Sequence, residues 1–177
     1  LVLVGHSQGA LAALRYAINN PTQVVHVFSV GCPWHGSVSA ANTASRIRRL
    51  TGINIAAALR DMAPNSTFLT SLHDDLPTIA SRVTNIYSTH EIFIRPYTCA
   101  HIDVPGVSNV LISTEDEYAK HLRTFPDLSI DELIIGRRTH IGEMNSPEVR
   151  SLIWAKVDEL GQRFRDGEAG PVDAVGT

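Results

Sequence analysis

Apolar positions fall along this chain in two rhythms: short unbroken runs, and longer stretches with a beat of three to four residues. Leu1-Val2-Leu3-Val4 is an unbroken run closed by Gly5, the pattern of a parallel strand covered on both faces. Residues 24–30 (Val-Val-His-Val-Phe-Ser-Val) repeat it, with His26 expected as a satisfied core or edge histidine. Residues 82–88 alternate well enough for a third strand. Residues 107–112 and 133–136 are two further apolar pieces, either of which could be the last core strand. The helical beat predicts a helix over residues 8–19 that stops at Asn20-Pro21. Two helical stretches, 41–50 and 53–62, follow around Thr51-Gly52, and a short helix over 67–72 is capped by Asn65 or Ser66. Residues 115–123 read as helix. The last helix, 148–164, is opened by Ser146 as cap and Pro147 at its first position. Strands alternating with helices predict an α/β fold: a mostly parallel sheet flanked by helices.

Composition narrows the picture without redirecting it. The chain has 177 residues, 44% of them hydrophobic, and a net charge of −3, enough for one packed core and the wrong sign for gripping nucleic acid. No run approaches the roughly 18 apolar residues of a membrane span. The chain opens inside a core strand, with no initiator Met and no leader. A strand of this kind needs neighbours on both edges. The expectation is therefore the C-terminal portion of a domain over 1–164, with N-terminal strands upstream, a helical cap or insertion over 41–72, and a frayed tail over 165–177.

The chemistry starts at the end of the first strand. Gly5-His6-Ser7-Gln8-Gly9 is G-x-S-x-G between a strand and a helix, the context of a nucleophile elbow. The turn should force Ser7 into a strained conformation, with Gly5 and Gly9 relieving the crowding. It places the hydroxyl at a helix N-terminus, where the Gln8 amide can stabilise an oxyanion. A serine hydroxyl is a weak nucleophile, so it needs a base, and the base needs an orienting carboxylate. Ser7, Glu91 and His140 follow in the chain order serine, acid, histidine, each at a strand-to-loop junction. Asp103 is the alternative acid; His35, His90, His101 and His121 are the competing histidines.

The segment Val4-Gly5-His6-Ser7-Gln8-Gly9 is similar to the elbow of bacterial triacylglycerol lipases and esterases of the α/β-hydrolase fold. Val30-Gly31-Cys32-Pro33-Trp34-His35-Gly36-Ser37 resembles that family's Gly-Thr-Pro-His-x-Gly-Ser loop, Tyr87 to Ile94 its acid-bearing segment, and His140-Ile141-Gly142 with Ser146-Pro147-Glu148-Val149 its histidine segment. Two features depart from the family: glutamate stands at the acid position, where aspartate is usual, and residues 113–138 make a longer spacing before His140. The resemblance implies a serine carboxyl-ester hydrolase working through an acyl-enzyme, with Ser7, Glu91 and His140 as triad. Gln8 would serve the oxyanion hole, and His6, Trp34 and His35 the substrate pocket. It implies no cofactor or metal, a small-molecule or lipid ester as substrate, transient contact with a lipid interface, and a secreted or periplasmic setting in which Cys32 and Cys99 could pair. It also puts a second oxyanion donor upstream of Leu1, so the isolated chain is expected to be inactive. Acyltransferase or thioesterase chemistry would use the same three residues; a non-catalytic binding domain would have no need of Ser7.

Overall fold

The computed structural model describes residues 1–37 and 61–167. Five strands, β1 (Val2–His6), β2 (His26–Val30), β3 (Val83–Ser88), β4 (Ser108–Ser113) and β5 (Glu132–Ile135), form one sheet in that order. Every pairing is parallel; Val4 lies opposite Phe28, Phe28 opposite Thr84, and Ile112 opposite Ile134. Both apolar pieces left open by the sequence are therefore strands, side by side at one edge.

Helices cover both faces. They are α1 (Gln8–Asn19), α2 (Thr67–Asp75), α3 (Glu115–Thr124), α4 (His140–Met144) and α5 (Pro147–Arg165), with a 3₁₀ segment, Leu76–Arg82, leading from α2 into β3. The two-residue period of the strands sorts the core into layers. Val27 and Val83 point to the side where Leu11 and Leu14 of α1 and Leu69 and Leu72 of α2 pack. Phe28, Val30, Ile86, Val110 and Ile112 point to the other side, under Val149, Leu152 and Ile153 of α5. A fully buried Leu or Phe contributes about 1.5–3 kcal/mol, so these two layers hold the sheet edge that carries the site.

A polar ladder crosses the sheet within the first layer. Ser29, Asn85 and Asn109 are opposite one another in register and fully buried. Ser29 Oγ donates to Asn85 Oδ1, and Asn85 Nδ2 donates to Asn109 Oδ1 and to the Ala100 carbonyl. Asn109 in turn bonds the Ile102 amide and carbonyl. Buried polar groups need partners, and this ladder supplies them while fixing the loop before β4.

Local signals behave as expected at the helix ends. Ser66, Thr114 and Ser146 each accept a backbone N–H three residues on, from Leu69, Glu117 and Val149. The helical stretches expected over 41–50 and 53–62, hence most of the expected cap, lie outside the described residues apart from 61 and 62, as does the tail beyond 167. Among the described residues no helix is long and apolar enough to cross a membrane.

Candidate active site

The site is built at the carboxyl ends of β1, β2 and β3, where loops of a parallel sheet converge. Ser7 follows β1 with φ 55° and ψ −127°, a sparsely populated conformation that costs about 1–3 kcal/mol. Its amide donates to the Val30 carbonyl of β2 at 2.9 Å. Unlike Ser66, Thr114 and Ser146, it makes no side-chain bond to cap its own helix. The hydroxyl is left for other work.

Crowding at the turn is one-sided. A Cβ on Gly5 would lie 2.5 Å from the Ala10 Cα and the Gly9 carbonyl oxygen, so glycine is obligatory there. The same expectation for Gly9 does not hold: a Cβ there would meet nothing within 4 Å. The first turn of α1 folds back over the end of β1, and only Gly5 lies beneath it.

Glu91 stands three residues beyond β3 and is 5% exposed. Its Oε1 accepts the N–H groups of Ile92 (2.7 Å), Phe93 (2.8 Å) and Ile94 (3.4 Å). Its Oε2 accepts a hydrogen bond from the Nδ1–H of His140 at 2.6 Å. Burial pushes the carboxyl up, but the His140 hydrogen bond, the Phe93 amide and the His140 charge outweigh it and hold Glu91 below the ordinary glutamate range. His140 opens α4 and is 6% exposed. With Nδ1–H given to a carboxylate, the neutral ring keeps its lone pair on Nε2.

Two side chains pack against that imidazole, and a third ties its loop to the acid loop. Phe93 meets it edge-on, ring centroids 5.3 Å apart. His6 lies against it at 4.5 Å and donates Nε2–H to the His140 carbonyl at 2.8 Å; burial, the largest influence, lowers the pKa of His6. Ser88 Oγ donates to the Arg138 carbonyl at 2.6 Å and accepts the His90 amide at 3.1 Å, tying the acid loop to the histidine loop. Gly31, φ +53°, lies beneath: a Cβ there would be 3.1 Å from His140 Nδ1 and 3.2 Å from Cε1. Since Ser7 bonds the residue before Gly31, serine and imidazole share one corner of the sheet edge. Among the described residues the Ser7 hydroxyl makes no hydrogen bond to His140.

The expected pocket residues divide. Gln8 is the first residue of α1, its amide at the positive end of the helix. His6 supports the His140 segment. Trp34 is fully buried, its ring 4.1 Å from that of His73, its Nε1 donating to Asp103 Oδ1 at 3.1 Å. The indole packs in the core with Leu69 and Leu72. His35 follows it in the same loop. Its Nε2 is 3.5 Å from Asp103 Oδ1, and it lines a cavity of about 380 Å³ with Thr98, Cys99 and His101, whose lining includes neither Glu91 nor His140. Asp103 is thus engaged with Trp34 and His35, and Glu91 is the carboxylate at His140. The competing histidines have other partners: His90 pairs with Thr89, His101 with Tyr87 and His121 with Tyr97. Cys32 and Cys99 are both free thiols, and complete burial pushes Cys32 up to about 12.

Sequence reasoning missed Glu143. Its carboxyl is fully buried beneath Gly31, and among the described residues its nearest donor is the Ser88 backbone, outside good hydrogen-bond geometry. Burial first, then the charge of Glu91, push it up to about 9, with the Ser88 backbone opposing them. A signal was present: Glu143 is three residues after His140 on a helix, hence on the same face.

No protein-family model and no curated protein matches this chain. Among solved structures it is similar to the monoacylglycerol lipase of Paleococcus ferrophilus, with 18% identity and a TM-score of 0.41, over 89% of this chain and 66% of that one. It is also similar to an N-formylmaleamic acid deformylase from Pseudomonas putida, with 14% identity and a TM-score of 0.31, over 85% of this chain and 64% of that one. The chain spans just under two thirds of each. Likeness at this level carries no weight for the chemistry, which rests on the site itself.

Proposed function

We propose that this chain carries the reacting residues of a serine carboxyl-ester hydrolase, lipase- or esterase-like. His140 Nε2 takes the proton of Ser7 Oγ as that oxygen attacks the ester carbonyl carbon. The carbonyl π electrons move onto oxygen, and the oxyanion settles against the Gln8 amide. Collapse of the tetrahedral intermediate breaks the C–O bond to the alcohol, which leaves with the proton from His140. Water, deprotonated by the same nitrogen, then attacks the acyl-enzyme; the carboxylic acid departs and Ser7 recovers its proton.

The observation that carries this reading is the buried His140–Glu91 pair at 2.6 Å. It fixes the ring as the tautomer with a basic Nε2, at the corner where the strained Ser7 ends β1. The serine–histidine hydrogen bond is the one link to be closed, and such links tighten when substrate seats. A fluorophosphonate probe on the intact protein tests the proposal. Covalent labelling of wild type that disappears in Ser7→Ala is the expected result; folded wild-type protein that takes no label refutes it. Hydrolysis of p-nitrophenyl esters of increasing chain length then separates lipase-like from esterase-like behaviour.

A further inference from the structure

A carboxyl group that is fully buried without a well-formed hydrogen bond on either oxygen is costly, and in a native protein it calls for an explanation such as a bound ion. Glu143 is such a group, and it has company: one donor atom from each of His6, His140 and Glu143 lies within 4.8 Å of the other two. The two imidazoles are also prepared as ligands. His140 gives its Nδ1–H to Glu91, and His6 gives its Nε2–H to the His140 carbonyl. Each ring is thereby oriented, with a lone pair on its other nitrogen. Histidines that bind metals are held in this way, by a carboxylate or a backbone carbonyl on the far nitrogen.

We propose that His6, His140 and Glu143 form an inhibitory binding site for a divalent transition-metal ion. Two imidazole nitrogens and one carboxylate suit Zn²⁺ or Co²⁺ rather than Ca²⁺ or Mg²⁺, which prefer all-oxygen sites. Bonds of about 2.0–2.1 Å place tetrahedral donors roughly 3.3 Å apart, so the three side chains draw together on binding. His6, only partly buried, can make most of that movement. Binding takes the His140 lone pair out of use, and this inhibitory consequence rests on the ester-hydrolase reading; the binding itself does not.

The test uses intact, metal-free protein titrated with Zn²⁺ by calorimetry, with the Co²⁺ absorption spectrum reporting coordination. One equivalent is expected in wild type, weakened at least about 10-fold in Glu143→Gln and in His6→Ala, with each variant's fold checked by circular dichroism. If Glu143→Gln does not fold, His6→Ala, altered at a partly exposed position, decides. No binding by wild type, or undiminished binding by a folded variant, overturns the site. Fluorophosphonate labelling of wild type should slow in Zn²⁺ and recover with EDTA. Labelling unaffected at saturating Zn²⁺ overturns the inhibition. Absence of labelling in metal-free protein counts against the hydrolase reading while the calorimetry still decides the site.

Discussion

Replacing Glu91 with glutamine removes one charge and almost no volume, and the contacts dictate which way the amide turns. The Oε1 position accepts three backbone N–H groups, from Ile92, Phe93 and Ile94. An NH₂ cannot sit there, facing three donors, so the amide oxygen takes that place. The NH₂ is then left against His140 Nδ1, where the carboxylate stood at 2.6 Å. Two donors cannot face each other, so Nδ1 becomes the acceptor and the proton moves to Nε2. The nitrogen that should take the Ser7 proton then holds one already. Aspartate-to-asparagine changes that impose the wrong tautomer in triads lower turnover by about 10⁴, equivalent to about 5 kcal/mol of barrier. Loss of the charge-assisted bond costs in addition about 1.5–3 kcal/mol of stability. The assay is ester hydrolysis by the intact protein, wild type against Glu91→Gln, with urea unfolding run in parallel. A folded Glu91→Gln protein within about tenfold of wild-type turnover would refute the reasoning. The same comparison on Asp103→Asn should show little change, because Asp103 faces Trp34 and His35.

Gly31→Ala puts a methyl against the His140 ring and the Glu143 carboxylate, at a residue with φ +53°. A loss of about 1–3 kcal/mol is expected from the backbone conformation alone, read as a lower urea midpoint, together with slower fluorophosphonate labelling. His26 should make stability depend on pH. Burial, and then the charge of Lys156, lower it from 6.5 to about 4, so the unfolded chain binds the extra proton between those values. Stability is complete above pH 6.5 and falls as pH drops toward 4, by up to about 3 kcal/mol; urea midpoints against pH measure it. His26→Gln, able to keep a bond to Thr84, should flatten that slope, and an unchanged slope would show that His26 is not its source.

Much of this architecture was legible because its signals are local. Residues 8–19 read as one helix between a G-x-S-x-G turn and Asn20-Pro21, and α1 spans those residues. Ser146-Pro147 marked the start of α5, and a carboxylate just past β3 marked Glu91. What escaped depends on the direction a side chain takes once packed. Trp34 leaves a strand at the catalytic edge, but its ring turns inward, drawn by His73 and by Asp103 as acceptor for the indole N–H. Nothing in the residue order says so. Gly9 appears in the motif as the partner of Gly5, yet only Gly5 has the helix folded over it. The spacing of Glu143 from His140 placed it on the same helical face, but nothing in the residue order says that its carboxyl is buried.

Ester hydrolysis by this site requires the Ser7 oxygen and the His140 ring to meet. The direct measurement is a crystal structure of the intact protein after reaction with a phosphonate ester. The predicted result is phosphorus bonded to Ser7 Oγ, with His140 Nε2 within about 2.6–3.2 Å of that oxygen or of the leaving-group position and Glu91 still on Nδ1. Phosphorus on a different residue, or on Ser7 with the imidazole turned away and out of reach, would contradict it.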